Sequence, residues 1–127
     1  MSPAVRRAAL AAVCLAGEVA VVLYGGPGRT WVRGTLGDLL ATALLFFVLG
    51  ALTRWSRSVR AGLSLGAGLL VELAQALRVT PSGGAGELLL GRHFDPLDLL
   101  AYALGVTLAA SLEASLERPS PLRAGSR

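Results

Sequence analysis

Apolar residues gather in four runs along the chain, 8–24, 36–53, 59–77 and 97–112, and polar residues crowd between them. Each run is near the roughly 17–25 residues that a helix needs to cross a bilayer core of about 30 Å. The separators read as breaks: "GGPGRT" after the first run, "RWSRS" after the second, "TPSGGAG" after the third and "RPSPLRAGSR" at the end. The alternation of short strands that a membrane barrel requires is missing, so helices are expected throughout. The expected fold is all-α, a polytopic transmembrane bundle of four helices. It forms one domain over 1–117, followed by a disordered cytoplasmic tail over 118–127.

Composition agrees with this pattern. A chain of 127 residues has room for one domain, and 54% hydrophobic residues against 16% charged exceed what a small soluble domain covers with polar surface. The net charge of +4 does not point to nucleic acid, because the arginines sit between apolar runs instead of clustering on one face. Cys14 stands alone inside an apolar run, which excludes a disulfide framework or a thiolate metal cluster. Arg6 and Arg7 precede "AALAAVCLAG" in the manner of a secretory signal, but the apolar run continues to Tyr24 and reads as an uncleaved first span.

Arginine placement sets the expected orientation. Arg6, Arg7, Arg54, Arg57, Arg60, Arg118, Arg123 and Arg127 flank one side of the four runs, and Arg29, Arg33, Arg78 and Arg92 flank the other. Eight against four puts both termini in the cytoplasm. Glu18 and Glu72 then share a level near the outer ends of spans one and three. Asp38 and Asp98 open spans two and four on that same side, and the inner halves are expected to carry no ionisable group. Charged side chains within a span are costly, face the bundle interior and mark functional sites. The asymmetry therefore implies an outward-opening polar cleft.

In "GRHFDPLDLLAYALG", Asp95 is placed as an N-cap with Pro96 at the first helical position. Asp98 follows at the third, with Tyr102 one turn further on the same face. Gln75 shares a face of the third helix with Glu72, and Glu18 has Arg29 or Arg33 as its simplest partners. His93, with Glu72 and Asp98, gives mixed donors but no closely spaced histidine pair, so no metal site or other cofactor is expected. Small residues at Gly62 and Gly66, and at Ala101, Gly105 and Ala109, predict a close contact between helices three and four.

Over residues 30–112, the segments "RGTLGDLLATALLFFVL", "GLLVELAQAL" and "LLLGRHFDPLDLLAYALG" together resemble an uncharacterised family of small bacterial membrane proteins related to the VanZ-like superfamily. The weight falls on Arg33, Gly34, Gly37, Asp38, Glu72, Gln75, Gly91, Phe94, Asp95, Asp98, Tyr102 and Gly105. The resemblance implies a multi-pass protein of the bacterial inner membrane with four or five helices. The namesake is associated with resistance to teicoplanin-type antibiotics, a role not carried over here, because the basic, histidine-containing first-helix motif of closer relatives is missing.

The functional expectation is a non-enzymatic protein whose outer cleft binds a lipid-linked or cell-envelope ligand. Arg33, Arg78 and Arg92 would meet phosphate or carboxylate groups, and Asp38, Glu72, Gln75, Asp95, Asp98 and Tyr102 would line the polar head. A small transporter or proton-coupled subunit using Glu18 and Glu72 as proton carriers is the first alternative. An intramembrane hydrolase or transferase with Asp98 or His93 as base is the second, and no serine or cysteine nucleophile stands beside either. The expected partners are the lipid bilayer and that ligand, with no nucleic acid; the oligomeric state is left open.

Overall fold

The computed structural model describes residues 1–77 and 95–119. Four helices and no strand occur among them: α1 Pro3–Leu23, α2 Arg29–Leu52, α3 Arg57–Ala76 and α4 Pro96–Glu117. Each begins where a local signal starts it. Ser2 accepts the Val5 amide of α1 with Pro3 at the first position, and Ser56 accepts the Val59 amide of α3. Asp95 accepts the Leu97 amide ahead of Pro96, the cap read from the sequence. Gly28, at φ +70°, makes the left-handed turn that launches α2.

α2 is the hub. It packs against α1, α3 and α4, and α3 also packs on α4, in an up-and-down bundle. The core between α1, α2 and α4 is built from Ala11, Cys14, Ala43, Phe46, Phe47 and Ala109. Phe46 and Phe47 meet edge to face with centroids 5.4 Å apart. Gly105 lets α4 approach α2 so closely that an added Cβ would strike the Leu39 carbonyl and the Thr42 hydroxyl.

α2 and α4 are long and apolar enough to cross a membrane. α1 and α3 are less apolar because α1 carries Arg6, Arg7 and Glu18, and α3 carries Arg57, Arg60 and Glu72. Apolar side chains lie on the outside of the bundle as well as in its core, and several polar ones are buried. Val13, Leu15 and Val19 on α1, Leu69, Leu70 and Leu73 on α3, and Leu100, Leu104 and Leu108 on α4 are exposed, whereas Arg60, Ser64, Glu72, Gln75 and Glu113 are buried.

Two sequence expectations are corrected here. A Cβ added at Gly62 or Gly66 would meet nothing within 4 Å, so they do not form the contact between α3 and α4. That contact uses Gly68, whose missing side chain leaves room for the Tyr102 ring, while the Gly105 ridge faces α2. The halves expected to lie on the cytoplasmic side are not bare either. α4 runs on to Glu117, and Glu113 is fully buried in an ion-pair cluster with Arg7, Arg57 and Arg60. Arg57, which the sequence places in the break "RWSRS", belongs with Arg60 to the first turns of α3.

Candidate functional site

Two helix starts and one helix end bring three carboxylates to one end of the bundle. Asp38 lies in the first turn of the regular part of α2, Asp98 in the first turn of α4, and Glu72 in the last turns of α3. One oxygen from each lies within 4.8 Å of the others. Just before Asp38, Val32–Leu36 is π-helical, and the Gly37 amide reaches the carbonyls of both Gly34 and Val32. Such a widened turn resets the face that the following residues present, and it recurs at functional positions. Glu72 is 2% exposed; the Tyr102 hydroxyl donates to its Oε1 at 3.0 Å, and its Oε2 has no partner among the described residues. Gln75 is buried on the same face, and its Oε1 is likewise unpartnered among them. Thr42, one turn beyond Asp38, directs its hydroxyl to the carbonyls of Asp38, Leu39 and Tyr102, tying α2 to α4 beneath the carboxylates.

Asp38 also belongs to a second feature. A cavity of about 660 Å³ lies between α1 and α2, lined mostly by apolar residues including Leu15, Val19, Leu44 and Val48, with Glu18, Arg33 and Asp38 as its polar members. Arg33 is exposed and donates to the Val22 carbonyl at 2.9 Å, which fixes the end of α1 against α2. No arginine pairs with Glu18 among the described residues, so the expected Glu18 partnership with Arg29 or Arg33 is not formed, and Glu18 Oε1 is buried without a partner.

The residues singled out from the sequence therefore divide. Asp38, Glu72, Asp98 and Tyr102 come together, and Gln75 stands one turn along from Glu72. Arg33 and Glu18 join them through the α1–α2 cavity. Asp95 is exposed and occupied as the cap of α4. Arg78, Arg92 and His93 lie outside the described residues.

At the opposite end, Arg60 is 1% exposed and donates to Glu113 Oε2 at 2.7 Å, to the Trp55 carbonyl at 3.3 Å and to the Phe46 carbonyl, with its guanidinium 4.4 Å from the centroid of the Phe46 ring. Arg7 pairs with Glu113 and Glu117, and Arg57 does the same. Sequence reading missed this cluster. Its signal was present in helical spacing: Arg60, Ser64, Gly68, Glu72 and Gln75 form one stripe of α3, and Asp98, Tyr102, Gly105, Ala109 and Glu113 form one stripe of α4.

A family model for proteins of unknown function (DUF2809) matches residues 28–106, more than half of the chain. The chain belongs to the DUF2809 family. Neither the curated proteins nor the solved structures yield a match. The match does not extend to the VanZ-like superfamily or to a bacterial source. The DUF2809 segment contains the whole carboxylate cluster with Tyr102, whereas Glu18 precedes it and Glu113 follows it.

Proposed function

We propose that this DUF2809 protein is a four-span protein of the bacterial inner membrane that binds a lipid-linked or cell-envelope ligand. The ligand's tail would lie in the α1–α2 cavity, with its polar head at the carboxylate cluster. Asp38 carries this reading, because it lines the cavity and is also one of the three clustered carboxylates. A ligand with an apolar chain and a donor-rich or cation-bridged head fits that adjacency, with Arg33 at the rim for an anionic group. Membrane insertion is supported by the leucines and valines exposed around a polar interior. The arginine bias favours both termini in the cytoplasm, so the carboxylates would open outward. A relationship to VanZ-like proteins belongs to the same proposal.

Native mass spectrometry of the gently extracted full chain tests it. A retained lipid of defined mass is expected, and it should be lost from Glu72→Gln and Asp98→Asn proteins that still fold. A lipid-free protein, or equal retention in the variants, would overturn the reading.

One observation favours transport as a second reading. The buried face of α3 is polar or small along its whole length, from Arg60 through Ser64 and Gly68 to Glu72 and Gln75. Such a stripe joins the two polar ends of the bundle. Proton or ion flux into proteoliposomes that requires both Glu72 and Ser64 would establish it.

A further inference from the structure

We infer that Asp38, Glu72 and Asp98 hold a hard divalent cation of the Mg²⁺, Mn²⁺ or Ca²⁺ class, with Gln75 as a further oxygen donor, and that this cation bridges the protein to an anionic head group. The bridging role rests on the lipid-ligand reading above; the cation site itself does not.

Geometry is the first support. Oxygens bound to one such ion at about 2.0–2.6 Å lie at most about 4.0–5.2 Å from each other across the coordination sphere. One oxygen from each of the three carboxylates falls within 4.8 Å of the others. The donor set is all oxygen, which selects hard cations over zinc or copper.

Partnering is the second. Glu72 is buried and contributes its carboxylate to the cluster, yet among the described residues Oε1 alone of its two oxygens has a donor, the Tyr102 hydroxyl. The buried Gln75 Oε1, projecting from α3 on the same side, is open as well among the described residues. A buried carboxylate oxygen without a donor is costly, and a metal ion satisfies it. The other end of the same bundle shows the contrasting solution: three guanidinium groups surround the buried Glu113. No arginine contacts the three-carboxylate cluster among the described residues.

The cation also reconciles the cluster with an anionic ligand. Three carboxylates alone repel phosphate; a divalent ion seated among them offers open positions to phosphate oxygens, as such ions commonly do. Tyr102 acts as a positioning residue, holding one Glu72 oxygen so that the other is presented to the ion.

The test uses the full chain in detergent, stripped with EDTA and titrated with Mn²⁺ under electron paramagnetic resonance. One Mn²⁺ per chain is expected, displaced by Mg²⁺ or Ca²⁺. Tyr102→Phe should weaken it about 10–100-fold, the usual effect of removing a group that orients a metal ligand. Glu72→Gln and Asp98→Asn should weaken it further. Position is checked independently of these variants by Mn²⁺-to-nitroxide distances, with labels at Thr30→Cys or Arg54→Cys in a Cys14→Ala background. The Thr30 label should be the nearer, since about 36 Å of helix separates the ends of α2. Folded wild-type protein that binds no Mn²⁺, or an ion nearer the Arg54 label, would overturn the inference. Lipid retained in EDTA without Mn²⁺ binding would remove the cation and leave the lipid reading standing; Mn²⁺ binding by a protein that retains no lipid would do the reverse.

Discussion

The hydroxyl of Tyr102 donates to Oε1 of Glu72 at 3.0 Å, joining α4 to α3 inside the bundle, and the ring of Tyr102 fills the space that Gly68 leaves open one turn below Glu72. The bond and the ring contact make a single device. The ring sets the depth of the phenol, and the phenol sets the direction of the carboxylate.

Removing that hydroxyl should therefore cost little stability and much function. Interhelical side-chain hydrogen bonds in membranes average about 0.6 kcal/mol and reach about 1.7. Tyr102→Phe is expected to lose an amount in that range by reversible unfolding in mixed micelles. A loss several times larger would mean that the phenol holds up the bundle instead of orienting Glu72.

The glycines should differ sharply in what they tolerate. A Cβ at Gly105 would collide with the Leu39 carbonyl, which is backbone and cannot step aside, whereas Gly66 faces open space. Overpacking typically costs about 1–3 kcal/mol. Gly105→Ala is expected to lower the thermal unfolding midpoint clearly, and Gly66→Ala to leave it unchanged or raise it slightly through better helix propensity. Equal effects would show that α2 and α4 do not meet at Gly105.

At the other end, Glu113→Ala strands Arg60 in the interior. Breaking a buried ion pair by removing one partner costs about 3–5 kcal/mol, because the remaining charge is left uncompensated. The double variant Arg60→Met with Glu113→Leu should recover most of this, as measured by unfolding of the purified proteins. A double variant as unstable as the single one would assign the loss to packing around Phe46 instead of charge.

The cavity between α1 and α2 gives a prediction separate from the carboxylates. Ala41 lines it and is exposed, so Ala41→Trp is expected to displace a co-purifying lipid while leaving the fold and Mn²⁺ binding as in the wild type. Native mass spectrometry and the Mn²⁺ titration read the two outcomes on one sample. Unchanged lipid retention would move the tail to another face of the bundle.

The linear sequence determined the body of each helix and the start of α4, because those are local matters, while α1 and α2 begin five and seven residues before their apolar runs. Unbroken apolar runs, "GGPGRT" and the Asp95–Pro96 pair act through backbone hydrogen bonding within a few residues, and α4 begins where that pair requires. It also determined which polar residues gather at one end, since the common level of Asp38, Glu72 and Asp98 follows from helix direction alone. The tertiary structure decided which face meets which neighbour. Gly62 and Gly66 repeat the small-residue spacing yet stay open, and Gly68, spaced in the same way from Ser64, makes the contact. Glu113, one residue beyond the fourth apolar run, becomes the most enclosed acid among the described residues because Arg7, Arg57 and Arg60 arrive from two other helices. When the outward faces are as apolar as the core, hydrophobic periodicity no longer separates inside from outside, and a pairing between distant residues exists only once the helices have packed.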